Sequence, residues 1–180
     1  MKKSPGLFLL LAFILSACAL GQAPQGQTKL LQDVPFFAQE DYQCGPAALA
    51  TVMNYWYRHE GIGKTIGIDE IVRAIYSPTA RGVLPVDIEN YPKQKGFSTY
   101  QFEGSVAEIR KNIDNGVPII ILVDYGLSVY QINHFMVATG YSDNGIFFNS
   151  GRKQREHIKN SSLEKIWKKT GYWALRVALS

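Results

Sequence analysis

Cys44-Gly45-Pro46 narrows the possibilities most, because it opens a segment with only one good way to fold. From Ala47 to Trp56 the chain reads AALATVMNYW, Ala-rich and apolar on nearly every face. A proline is accepted in the first turn of a helix and not deeper. The pattern therefore predicts a buried helix with Cys44 at its N-terminus. A thiol is a useful nucleophile only as thiolate, and a free cysteine ionises at about pH 8.5. The partial positive charge of a helix start and a neighbouring imidazolium would each favour that form. Of the three histidines, His134 opens an apolar strand-like stretch in the other half of the chain. His59 follows a Tyr-Arg pair at a helix end, and His157 sits among Arg152, Lys153, Arg155 and Lys159; both read as surface residues.

The chain has two cysteines, and the first has a different setting. Met1-Lys2-Lys3 is a positive start, and Leu7 to Leu15 (LFLLLAFIL) is an apolar run. That run is shorter than the roughly 20 residues a membrane-spanning helix needs, which makes it a signal-peptide core. Leu15-Ser16-Ala17-Cys18 resembles the lipobox of bacterial lipoproteins, where small residues fit the signal peptidase and the cysteine receives diacylglycerol. The plainer alternative is an ordinary signal peptide that contains a cysteine. The expectation is a signal peptide over 1–17, lipid on Cys18, and a flexible tether over 18–33, since LGQAPQGQTKL has little to bury. Ala19 in place of Asp resembles the sorting pattern for the outer membrane. The expected location is thus the cell envelope, lipid-anchored, facing the periplasm if the cell is Gram-negative.

Two consequences follow from this division. In an oxidising compartment cysteines normally pair, yet with Cys18 lipidated Cys44 has no partner within the chain, and a lone thiol there points to chemistry. Loss of Lys2 and Lys3 with the signal peptide lowers the net charge from +4 to +2, too mild a balance for a nucleic-acid partner. Residues 34–180 are enough for one core and too few for two ordinary domains.

Further along, Ile68–Tyr76 and Val86–Lys95 have helical spacing, and Ser105 to Glu108 matches a capping box for a helix that ends at Asn115-Gly116. Val117–Val123 (VPIIILV) and His134–Tyr141 read as strands. Ile146–Asn149 follows a turn with an Asn-Gly pair, a strong hairpin signal. A helix is expected over Ser161–Lys169 and a closing strand over Tyr172–Leu179. Helices precede an antiparallel sheet, an α+β arrangement. Trp56, Trp167 and Trp173 are expected in the core.

The segment Gln39-Glu40-Asp41-Tyr42-Gln43-Cys44-Gly45-Pro46-Ala47-Ala48-Leu49 resembles the active-site segment of the bacteriocin-processing, double-glycine leader peptidases and their stand-alone relatives. His134 through Gly140-Tyr141 to Asn149 resembles that family's histidine strand. The resemblance runs from Val34 to about Val177 and is strongest to stand-alone bacterial lipoprotein cysteine peptidases. It implies a papain-like fold in which Cys44 attacks a carbonyl carbon and His134 passes the proton to the leaving amine. It also implies that the Gln39 amide and the Cys44 backbone N–H bind the oxyanion.

Two departures stand out. Transporter-borne members usually have Asp before the nucleophile, where this chain has Gln43. The family's third member is usually Asp about fifteen residues after the histidine, where this chain has Asn149. An Asn can orient an imidazole but cannot supply negative charge, so a Cys44–His134 dyad with a structural Asn149 is an equal expectation. Asp143 is a weaker substitute because it lies in the turn.

The leading expectation is an envelope-anchored cysteine peptidase acting on a peptide or protein. Two alternatives stand beside it: a catalytically weak or inactive peptide-binding lipoprotein of the same fold, and a thioester-forming acyltransferase. No cofactor or metal is expected, since the ligand spacing is wrong. There is no ATP-binding GxxxxGK[ST] loop, so no ATP partner is expected. The basic cluster from Arg152 to Lys159 reads as a solvated stretch, with docking to anionic lipid or phosphate as the other possibility.

Overall fold

A computed structural model describes residues 26–180. The expected signal peptide and Cys18 lie outside the described residues. The first long element is α1 (Cys44–His59), in which every residue from Gly45 to Tyr55 is buried. A helix apolar on all faces must be enclosed on all sides, and this one is. Its one buried amide is satisfied: Asn54 Nδ2 donates to the carbonyls of Ala50 (2.7 Å) and Ile66 (2.8 Å), and Oδ1 accepts from the Ile66 N–H at 2.9 Å. These bonds fix the path into α2 (Ile68–Ile75), which precedes α3 (Pro85–Gln94). Ser105 caps α4 (Val106–Asp114) as its sequence predicts, its Oγ accepting from the Glu108 N–H at 3.1 Å.

The sheet is antiparallel throughout. Its main strands are β2 (Phe97–Glu103), β3 (Ile119–Asp124), β4 (Asn133–Ser142), β5 (Gly145–Ser150), β6 (Lys153–Lys159) and β7 (Trp173–Leu179), in the spatial order β2-β7-β3-β4-β5-β6. The unbroken apolar run of β3 is explained by its place between β7 and β4, where every residue is buried. Alternation along β4 sorts its side chains into two cores. Phe135 and Val137 join α1, while Met136 and Ala138 join Ile109 and Ile113 of α4 and Leu163 and Trp167 of α5 (Asn160–Trp167). Each fully buried Leu, Ile or Met stabilises the fold by roughly 1.5–3 kcal/mol. Trp167 is fully buried, and the indole N–H groups of Trp56 and Trp167 donate to the carbonyls of Val177 and Trp173.

Three expectations need correction. The tether does not run to residue 33: β1 (Lys29–Leu30) pairs with Tyr141 and Gly140 of β4, Leu31 is buried, and the Gln27 N–H is bonded to Asp143. Gly140 permits this, since a Cβ there would fall 2.5 Å from the Lys29 carbonyl oxygen. The helices do not all precede the sheet, because β2 lies between α3 and α4. The basic stretch 152–159 contains β6, an edge strand, where charged side chains discourage pairing with other chains.

Candidate active site

Cys44 is the first residue of α1, reached through a tight turn in which Tyr42 takes a left-handed φ of 64°. Arg81 holds that turn, its guanidinium lying 4.6 Å from the Tyr42 ring centre and donating to the hydroxyl. Gly45 allows the helix start to press against its neighbours. A Cβ there would fall 2.1 Å from Val83 Cγ2 and 2.7 Å from Ile88 Cδ1. Among the described residues no side chain caps the helix, so its first amides face the thiol. The thiol lines a small cleft with Phe37, Gln39, Phe135, Asn149 and Ser150.

Burial pushes the Cys44 thiol up, while the backbone amides of Phe135, Gly45 and Cys44 itself pull the other way without overcoming it. The helix-start effect read from the sequence is therefore present but outweighed. Together these leave the thiol harder to ionise than a free cysteine.

His134 stands at the start of β4, one residue from the amide that meets the thiol. Its Nε2 lies 3.0 Å from Ser150 Oγ at the end of β5. The Tyr125 ring is 5.9 Å away, centre to centre. Burial pushes the imidazole down, and the Glu156 carboxylate opposes this in part. Among the described residues, Cys44 and His134 are not hydrogen-bonded to each other.

Asn149 points elsewhere. Its Nδ2 donates to the Pro35 carbonyl at 3.2 Å, and its Oδ1 accepts from the Arg155 N–H at 3.2 Å. Adjacent strand residues face opposite ways, so Asn149 shares the α1 side with its pairing partner Val137, and Ser150 shares the other with Phe148. The His134 ring thus meets a serine hydroxyl and not the amide expected from the sequence. Two residues missed in the sequence lie here, Ser150 and Glu156. Counting two positions on from the buried Phe148 would have found the first.

Gln39 reaches the cleft because its N–H donates to the Gly151 carbonyl at 3.3 Å, joining the pre-helix segment to the β5–β6 turn. Its side chain has no hydrogen bond among the described residues and remains able to bind a ligand. The other candidates lie apart. His157 is bonded to Ser142 at the far end of β4, and Asp143 holds Gln27. His59 is exposed against Tyr55 and Trp56.

The loop entering β4 is closed by Asp124, whose Oδ1 accepts from the N–H groups of Gly126 and Ile132, both at 2.7 Å. The Ile132 amide, then the Gly126 amide and the Lys169 charge, hold this carboxyl below the usual range. The loop presents Leu127, Val129 and Tyr130 to solvent.

The model of the Peptidase C39-like family matches residues 31–175. A C39-like peptidase from Bacillus anthracis superimposes with a TM-score of 0.68 at 16% identity, covering 86% of this chain and 98% of that one. The peptidase domain of Streptococcus ComA, a bifunctional ABC transporter of a quorum-sensing pathway, gives 0.63 at 21% identity, with coverage of 82% and 99%. A double-glycine-motif protease from an AMS/PCAT transporter, solved with its leader peptide, gives 0.64 at 19% identity, with coverage of 84% and 95%. No curated protein matches the chain. The mixed helix and antiparallel-sheet architecture is that of the papain-like C39 fold.

Proposed function

The chain belongs to the Peptidase C39-like family, and from that premise we propose that it is a cysteine peptidase whose nucleophile is Cys44 and whose base is His134. The observation that carries this reading is the cleft in which Cys44, at an uncapped helix start, meets Gln39 and the amide of the residue after His134.

The steps follow from the chemistry of these groups. Substrate entering the cleft displaces water, and His134 takes the thiol proton as sulfur attacks the carbonyl carbon. Since Ser150 occupies Nε2, Nδ1 is the nitrogen left for that proton. The oxyanion is met by the Gln39 amide and the Cys44 N–H; losing one such donor typically raises the barrier by on the order of 3 kcal/mol. His134 then protonates the leaving amine, and water resolves the thioester. An acceptor amine in place of water would give acyl transfer from the same intermediate.

We place the protein in the cell envelope, anchored by lipid on Cys18 and facing the periplasm if the cell is Gram-negative. The support is the LSAC segment after an apolar run, in the sequence alone. The substrate is a peptide or protein. The test is a degenerate peptide library read by mass spectrometry. New amino termini should appear with the wild-type chain and vanish with Cys44→Ala and with His134→Ala; cleavage that survives Cys44→Ala would overturn the reading.

A second reading, peptide binding without catalysis, is favoured by the neutral thiol and by the absence of a Cys44–His134 hydrogen bond among the described residues. It predicts peptide retention by the wild-type protein with no new termini.

A further inference from the structure

His134 at the head of β4 and Ser150 at the end of β5 are bonded across the strand pair, and among the described residues no carboxylate is bonded to the imidazole. A carboxylate lies two strands from the ring, on β6. On β6, Glu156 pairs with Phe148 and Lys153 pairs with Ser150. Paired residues share a face of the sheet, so Glu156, Lys153, Phe148 and Ser150 project to the same side, which is also the side of Met136 and, by alternation, of His134. The register shift between Phe148 and Ser150, with Arg155 at a left-handed φ of 56°, brings Lys153 and Glu156 together at 2.6 Å. The Lys153 side chain is 70% exposed and that of Glu156 27%. The cation therefore stands mostly in water, while the carboxylate is held against the sheet.

Resting on the peptidase reading above, we propose that Ser150 and Glu156 share between them the work of a single carboxylate: the Ser150 hydroxyl aligns the His134 ring, and Glu156 supplies the negative charge that steadies the imidazolium. Both are positioning residues, since neither touches the reacting atoms. An imidazolium Nε2–H donates to Ser150 Oγ, which leaves Nδ1 as the nitrogen available for the thiol proton. The division suits a cleft that is neutral at rest. The serine hydroxyl supplies no charge of its own, and the carboxylate, two strands from the ring, offsets only part of the burial that keeps the ring neutral.

The other groups around the ring do not replace this pair. Asp124, opposite Asn133, spends its Oδ1 on two backbone amides. The Tyr125 hydroxyl donates to the sulfur of Met136. Cys44 is neutral, and Lys153 opposes the effect of Glu156. Burial still disfavours the imidazolium, and among these groups Glu156 is the one whose charge opposes that effect.

The experiment is an NMR titration of His134 in the full chain carrying Cys18→Ser, paired with the rate of Cys44 alkylation by iodoacetamide. Neither readout needs a substrate, so an absence of peptide cleavage would count against the peptidase reading and not against this one. Glu156→Gln should lower the His134 midpoint, and Lys153→Gln, at an exposed position, should raise it. Ser150→Ala should slow alkylation at neutral pH by roughly tenfold to a hundredfold with the melting temperature kept. Ser150→Asp placed in the Glu156→Gln background should restore both quantities. An unmoved His134 midpoint in both Glu156→Gln and Lys153→Gln would overturn the role of Glu156. An alkylation rate unchanged in Ser150→Ala would overturn that of Ser150.

Discussion

Asn149 Nδ2 donates a hydrogen bond at 3.2 Å to the carbonyl of Pro35, 114 residues earlier in the chain. With its Oδ1 on the Arg155 N–H, the amide joins the pre-helix segment, β5 and the bulge of β6 at one point. Asn149→Ala leaves the buried Pro35 carbonyl and the part-buried Arg155 N–H without partners and should cost about 1–3 kcal/mol of stability, measured by urea unfolding. The His134 midpoint should stay where it is. A rate loss with full stability would instead make Asn149 part of the chemistry.

Gly45→Ala should destabilise the protein by about 1–3 kcal/mol, because the added methyl meets Val83 and Ile88 in a packed core. The helix start would be pushed away from α3, carrying Cys44 with it. Thermal unfolding with a parallel alkylation assay checks both effects, and a variant as stable as wild type would show that the neighbours yield.

The pH behaviour follows from the directions of the two shifts. Burial pushes the His134 imidazole down from its usual 6.5, so as pH falls below 6.5 the unfolded chain takes a proton that the folded chain refuses. Stability contributed by this site is full above 6.5 and is lost toward acid, through the window between 6.5 and the folded midpoint. The Cys44 thiol is pushed up, so alkaline pH ionises it in the unfolded chain first and stability falls there too. Denaturation midpoints across pH should be flatter on the acid side in His134→Gln and on the alkaline side in Cys44→Ala.

Gln39→Ala should lower kcat by on the order of a hundredfold or more with KM nearly unchanged, as expected when one oxyanion donor is lost. Its backbone bond to Gly151 is retained in that variant, so the cleft keeps its shape. Steady-state kinetics on any peptide found in the library assay would measure this. A rise in KM alone would assign Gln39 to ground-state binding.

Much of the framework was legible in the residues because each signal was local. Cys44-Gly45-Pro46 marks a helix start, Ser105 with Glu108 marks a cap, and the Asn-Gly pair marks the β4–β5 hairpin, and the structure has all three. What escaped was non-local or alternating. Lys29–Leu30 has too little apolar character to announce a strand and depends on Gly140 far along the chain. β6 hid behind its own charge, since an edge strand with one wet face has few apolar positions to display. The partner of His134 was missed by one residue. Strand side chains reverse direction at every step, so Asn149 and Ser150 look interchangeable on paper yet face opposite sides of the sheet.

β1 also sets a direction for the whole molecule. It joins β4 at Gly140 and Tyr141, and Gln27 is held at Asp143, whereas His134 stands at the opposite end of that strand. Seven residues of extended chain separate His134 from Tyr141, roughly 20 Å at the usual strand rise. If Cys18 carries lipid as proposed, the leash attaches at one pole of the domain and the cleft opens at the other. Such a protein would work at arm's length from its bilayer, with its mouth turned to the aqueous space, and would meet peptides in solution sooner than chains still embedded in the membrane.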